Sequence, residues 1–313
     1  MRTATVGRSG LRVSALGLGT LTWGRETPGD EAAAQLTAFV DAGGTLLDTS
    51  PAYNDGAAEA VLAELLGDVV ARDRLVLSGT AGIDPSAPPG HRVDCSRRAL
   101  LAGLDRTLAA LGTDHLDLWQ VAAWDRRTPV AEVAATLAHA VRTGRARYVG
   151  VRGHLAWQLA TAAGVAAADA PIVAAQAEYS LLARGAEDEL IPAAAHHGAG
   201  LLAAVPLAGG VLTGKYRDGV PSDSRGADEL RGTGVARYLT EQADRVNQAV
   251  ATAADGLGTS PLAVALAWAR GRPQVASAIV GARDLAQFTG TLAAADLELP
   301  DAIVAALDDV SGY

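Results

Sequence analysis

The stretch HLDLWQVAAWDRRTPVAEVAATLAHAVRTGRARYVGV, residues 115–151, decides the fold. His115 to Val121 reads as a buried strand, with Leu116, Leu118, Trp119 and Val121 apolar. Pro129 stands at the start of a helix over 129–143, and Gly144 ends it. ARYVGV (146–151) is a second apolar run of strand length. Strand, helix and strand in this order make two parallel strands joined by a right-handed crossover.

The same unit repeats in both directions. Strands are expected at 15–19, 45–48, 74–78, 115–121, 146–151, 172–176, 201–205 and 276–281. Helices fall between them, at about 30–42, 57–68, 95–111, 129–143, 155–167, 187–197, 241–270 in two pieces, and 284–294. Ser96 is the expected N-cap of the third helix and Gly112 its stop. Eight such units predict an α/β fold, a closed (β/α)8 TIM barrel, better than an open doubly wound sheet. No linker interrupts them, so 1–313 is expected to be one domain. TATVGRSGLRVS (3–14) predicts an N-terminal β-hairpin that turns at Gly7–Gly10 and closes one mouth of the barrel. The stretch 206–239 is rich in Gly, Pro and Asp and too long for a connector, so it is a candidate lid or ligand loop.

Composition narrows the function. The chain has 26 basic and 35 acidic residues, a net charge of −9, which argues against nucleic acid as a partner. Cys95 is the sole cysteine, so there is no disulfide framework and no cysteine-rich metal site, and Cys95 itself is expected to have no role. The histidines lack metal-ligand spacing, so no metal is expected. His196 and His197 end a helix, where they complement its dipole. The start has no apolar signal core and no apolar run reaches membrane-span length. The expectation is a cytoplasmic protein that acts on a small molecule, of open oligomeric state.

In a barrel of this kind chemistry belongs at the carboxyl ends of the strands. Asp48 ends the second strand and Tyr53 follows five residues later. A carboxylate and a phenol at one mouth can do acid–base work; the bland alternative is a loop cap and a packed ring.

RSGLRVSALGLGTLTWG, LLDTSPAYNDGAAEAVLAELL, LGTDHLDLWQVAAWD, ARYVGV, PLAGGVLTGKYRDG and VASAIVGARDLAQF resemble the aldo-keto reductases, in order and along nearly the whole chain. The resemblance implies a barrel that binds NADP(H) at its carboxyl-terminal mouth and moves a hydride between nicotinamide and a carbonyl carbon. It implies a tetrad of Asp, Tyr, Lys and His. Asp48 and Tyr53 match. Thr80 in LVLSGTAG takes the Lys position, and Ala122 in LWQVAAWD takes the His position. A free phenol has a pKa of about 10, and without a neighbouring cation the Asp48 charge disfavours phenolate further.

On the cofactor side the resemblance assigns the adenosine and its 2′-phosphate to Gly281, Arg283 and Gln287. It assigns the pyrophosphate to the loop holding Pro206, Leu207, Gly209 and Lys215, and the carboxamide to Gln176. Thr291 stands where an Asn is common. The usual Ser-Asn after ARYVGV is Arg152–Gly153, which puts a cation where the nicotinamide is expected; the alternative is an Arg turned to solvent. Trp23 and Trp124 are expected to line the substrate pocket, with Arg152 and His154 beside them; Trp119 is open between pocket and packing.

Three functional readings follow. The first is a divergent NADP(H)-dependent oxidoreductase acting on an activated carbonyl, an enone or a keto sugar. The second is a non-redox dehydratase, isomerase or cyclase re-using the mouth. The third is a cofactor-binding pseudoenzyme.

Overall fold

The structure is a computed structural model that describes residues 1–229 and 231–312. Eight parallel strands close into a barrel: β3 (Leu16–Gly19), β4 (Leu46–Asp48), β5 (Val76–Ala81), β6 (Leu116–Val121), β7 (Ala146–Arg152), β8 (Ile172–Glu178), β9 (Gly200–Ala204) and β10 (Val275–Val280). β10 returns to pair with β3. The expected (β/α)8 barrel is the observed one.

Around it lie α1 (Gly29–Asp41), α2 (Ala57–Leu65), α3 (Arg97–Leu111), α4 (Val130–Arg142), α5 (Ala156–Val165), α6 (Leu190–His197), the short α7 (Gly232–Ala236), α8 (Glu241–Leu257), α9 (Pro261–Gly271), α10 (Leu285–Ala293) and α11 (Asp301–Ser311). Ser96 caps α3, accepting a hydrogen bond from Ala99 N–H at 3.3 Å, and Gly112 ends it with φ 61°. α11 was not among the expected helices. Strand–helix alternation assigns nothing beyond residue 294, because α11 follows no strand and packs instead on α8. No single helix among the described residues is long and apolar enough to cross a membrane.

β5 runs three residues past its expected end. Gly79 and Ala81 are weak strand formers, but the register of 79–81 against Trp119, Gln120 and Val121 of β6 holds them extended.

The hairpin β1 (Thr3–Thr5) and β2 (Arg12–Ser14) forms as expected and covers the amino-terminal mouth. Its Val6, Leu11 and Val13 pack with Leu46, Leu118, Ala174 and Leu202 in the barrel interior. The fit is close: a Cβ on Gly7 (φ 55°) would lie 2.2 Å from the Gly198 carbonyl oxygen, and one on Gly200 would lie 2.4 Å from the Gly7 nitrogen. Only glycine allows this backbone contact. With one mouth sealed, the other carries the site.

Candidate functional site

Strand alternation builds the open mouth. Side chains of one parity face the barrel axis. Two residues beyond the interior Leu46, Leu118 and Ala174 stand Asp48, Gln120 and Gln176, and two beyond Val76 stands Ser78. All four are buried. They form a closed polar ring. Ser78 Oγ donates to Asp48 Oδ1 at 3.0 Å, and Gln176 Nε2 donates to Asp48 Oδ2 at 3.2 Å. Gln120 Nε2 bridges Ser78 Oγ at 2.9 Å and Gln176 Oε1 at 2.7 Å. Ser78 and Gln120 escaped the sequence reading, although a polar residue at the last inward position of an otherwise apolar strand was the available signal.

Tyr53 reaches Asp48 Oδ2 with its hydroxyl at 3.5 Å. Its turn is held from behind: Asn54 and Asp55 adopt left-handed φ values of 52° and 54°, and Asn54 Nδ2 donates to the carbonyls of Leu21 and Trp23. Arg152, the last residue of β7, pairs in register with Gln176 and points into the mouth. Its Nη1 lies 3.8 Å from Asp48 Oδ2 and its Cζ 5.4 Å from the Tyr53 ring centroid. The solvent-facing alternative for Arg152 is therefore excluded. Burial raises the Asp48 carboxyl above the usual range, and Arg152 opposes that. Burial and the Asp48 charge push the Tyr53 phenol up to about 12, again against Arg152. Tyr53 is a neutral donor at pH 7.

Thr80 and Ala122 are removed from this chemistry. The Thr80 hydroxyl is buried and paired with Ser50 Oγ at 2.7 Å. Ala122 follows β6 and its N–H donates to the Ala81 carbonyl.

From Asp48, Tyr53, Gln176 and Arg152 a groove of about 700 Å³ runs past Pro206, Leu207, Gly209 and Lys215 to Gly281, Arg283, Gln287 and Thr291. It brings together all the residues expected on the cofactor side. Val205 and Ala208 hold left-handed φ values of 54° and 49°, followed by Gly209 and Gly210 at 68° and 97°. A β-branched residue in that region is strained, and the loop holds itself by Ala208 N–H on the Val205 carbonyl and Gly210 N–H on the Leu207 carbonyl, both at 2.9 Å. A Cβ on Gly281 would meet the Gly19 carbonyl at 2.8 Å, so glycine keeps this part of the wall flat.

Arg225 also lines the groove, half-buried, and its guanidinium makes no hydrogen bond or ion pair among the described residues. Burial, with Arg231 and Arg283 nearby, pushes its guanidinium below its ordinary value. Three cations, Lys215, Arg225 and Arg283, thus line the groove, with Arg225 and Arg283 near one another. This is a donor set for phosphate. Sequence reasoning missed Arg225 because the loop around it has no periodicity.

The candidate lid 206–239, in which Leu230 lies outside the described residues, spans the groove and is tied to both sides. Arg283 Nη1 donates to the Asp223 carbonyl. Arg25 pairs with Asp228 at 2.8 Å, and Arg231 donates to Asn54 Oδ1 at 2.8 Å and pairs with Glu26.

Three substrate-pocket expectations fail on position: Trp23, Trp124 and His154 do not line the groove, and Trp124 borders the same small apolar cavity as His154. Trp23 is fully buried, its indole N–H directed at Gln35 of α1, because its loop folds back under Asn54. His154 is buried with its Nδ1 3.0 Å from the Arg152 carbonyl, and it borders a small apolar cavity behind the barrel rather than the groove. Trp124 is half-buried, edge-on to His154 and to the exposed Trp157, at ring distances of 5.9 and 5.1 Å. Trp119 is fully buried. Cys95 is buried, and burial with the Asp125 charge pushes its thiol up to about 12, leaving no reactive thiolate.

Burial lowers the His154 pKa below its ordinary 6.5. The unfolded chain binds this proton first on acidification, so stability is lost as pH falls below about 6.5, with a slope of at most ~1.4 kcal/mol per pH unit. Denaturant midpoints compared at pH 7 and pH 5 should fall for the native protein and fall less for His154→Gln.

The family model of the Aldo/keto reductase family matches residues 15–311. An uncharacterized oxidoreductase, YrpG, of Bacillus subtilis is 32% identical over 317 residues, covering 97% of this chain and 94% of that protein. A probable voltage-gated potassium channel subunit beta of Arabidopsis thaliana is 32% identical, covering 95% and 92%. The L-glyceraldehyde 3-phosphate reductase of Escherichia coli K12 is 33% identical, covering 88% and 82%. A sealed barrel with a buried carboxylate and a phenol at its open mouth, matched over residues 15–311 by this model and over most of its length by these relatives, has one classification: the chain belongs to the aldo/keto reductase family.

Proposed function

We propose that the protein is an NADP(H)-dependent oxidoreductase of the cytoplasm that reduces an activated carbonyl, an enone or a keto sugar. The observation that carries this reading is the continuous groove that joins the cations Lys215, Arg225 and Arg283 to the Asp48–Tyr53 mouth. Its volume of about 700 Å³ and its cationic lining fit an extended dinucleotide. Arg283 and Arg225 would hold the 2′-phosphate, and the loop 205–210 with Lys215 would hold the pyrophosphate. Arg152 leans on Asp48 and Tyr53, and the groove beside it stays open.

The bound dihydronicotinamide supplies hydride. The chain's own contribution is to orient the substrate oxygen on the Tyr53 hydroxyl, give it a proton there, and keep Asp48 fixed by Ser78 and Gln176. A phenol pushed to about 12 is a weak acid, which restricts the substrate to one needing little protonation help.

A second reading, a non-redox enzyme on the same mouth, draws on one observation. Gln176 already spends one N–H on Asp48 and one oxygen lone pair on Gln120, so a carboxamide would have to share a side chain committed to the polar ring.

Fluorescence titration with NADPH and NADH separates the two. The reductase reading expects selective NADPH binding. Arg283→Ala should weaken NADPH by about 10- to 100-fold, the worth of hydrogen bonds to a charged group, and leave NADH nearly unchanged. No NADPH binding by the native protein ends the reductase reading and leaves the second.

A further inference from the structure

We propose that Arg152 is the positioning residue that sets the proton affinity of Tyr53, a cation delivered to the acid–base pair from the end of β7. The inference rests on the reductase reading only for the use to which that proton is put.

Asp48 is 1% exposed, and a buried carboxylate needs a counter-ion. Among the described residues Arg152 is the one cation paired with it, at 3.8 Å. The same guanidinium lies over the Tyr53 ring. Asp48 and Arg152 are the charged groups that act on Tyr53, with opposite effects. The arrangement is rigid on every side. Arg152 is fixed by register with Gln176, and the Gly153 N–H donates to the Gln176 carbonyl at 2.9 Å. Gly153, at φ 64°, turns the chain away so that the Arg side chain alone enters the mouth.

Arginine suits this place. Its guanidinium stays charged here, and a Lys ammonium would stay charged as well while paired with Asp48. At 3.8 Å the contact with Asp48 is an ion pair without a hydrogen bond, so the charge neutralises Asp48 without tying up the guanidinium N–H groups. The pair is formally neutral, so the mouth does not select anionic substrates. The charge acts instead when Tyr53 gives its proton to the substrate oxygen. The O–H bond of Tyr53 breaks and an O–H bond forms on substrate, while the carbonyl carbon receives hydride from a dihydronicotinamide. The phenolate left behind sits beside Arg152, and it regains its proton from water. Without Arg152 that phenolate faces only the Asp48 carboxylate.

The test puts a fluorinated tyrosine at position 53 and follows its ionisation by fluorine NMR in the cofactor-free protein. Arg152→Gln should raise the midpoint by about one unit or more, the effect of losing a neighbouring opposite charge. Arg152→Lys should hold it near the native value. Thr80→Lys combined with Arg152→Gln, which returns a cation from β5, should lower it again and guards against misfolding around an unpaired Asp48. In parallel, NADPH-dependent reduction of 4-nitrobenzaldehyde should lose about 10- to 100-fold in kcat in Arg152→Gln, with KM for NADPH little changed. The more acidic fluorinated tyrosine should recover part of that loss. An unmoved NMR midpoint overturns the assignment, whatever the rates. A raised midpoint in a protein that turns over no carbonyl supports the assignment and overturns the reductase reading alone.

Discussion

Replacing Tyr53 with Phe is expected to lower kcat/KM for an activated aldehyde by about 10²–10⁴-fold, the typical worth of a positioned acid. The hydroxyl is the sole atom removed. It lines the groove, where it donates to Asp48 Oδ2 at 3.5 Å beside the Arg152 guanidinium. Because the ring and its turn are held by Asn54, the fold should not change. The NADPH dissociation constant should stay within about twofold, since its phosphate anchors lie at the far end of the groove. Steady-state rates and a cofactor titration on the same preparation check both halves. A variant retaining native kcat would show that the substrate oxygen takes its proton elsewhere, and the acid–base reading of the mouth would be abandoned.

The largest stability effect is expected at Trp268, on the outer side of the barrel. Its indole is 1% exposed and stacked on Tyr179 at 5.4 Å, with the guanidiniums of Arg184 and Arg272 over its ring at 5.3 and 4.7 Å. Its N–H donates to Asp308 of α11 at 2.9 Å. Trp268→Ala removes the ring that joins α9, α11 and the loop after β8. Truncation of a buried Trp costs about 3–5 kcal/mol. Urea or guanidinium midpoints should fall accordingly, and a loss under about 1 kcal/mol would mean that Arg184, Arg272 and Asp308 hold this side without the ring. Trp268→Phe should recover much of the packing but not the hydrogen bond to Asp308.

The barrel was legible because parallel strands buried on both faces are written as short apolar runs, and the helices between them keep their own period. Asp48 and Tyr53 were legible because a strand tip is a short, readable place. The cationic end was legible only in part. Lys215 and Arg283 sit in recognisable stretches, whereas Arg225 lies in a loop whose shape comes from ties to Asn54, Glu26 and Arg283 rather than from local pattern. α11 was missed for a related reason, since its partner is α8 and not a strand. The direction of Arg152 was not readable at all. Sequence places it at the end of β7, but only the register with Gln176 and the turn at Gly153 aim it at Asp48. Trp23 and His154 show the reverse error: both are near strand ends, yet the chain folds each of them away from the groove.

The pairing of β3 with β10, Leu16 against Ala278, has a consequence for synthesis. The first barrel strand to leave the ribosome waits for the last before one of its edges is covered. Until then the nascent chain carries two open strand edges, at β3 and at β9, which are templates for pairing with a neighbour. Contacts between such distant parts of a chain form slowly. The far wall of the groove, Ile279 to Gly281, arrives with that final strand. The growing protein therefore owns its acid–base pair long before it owns a complete place to bind anything beside it.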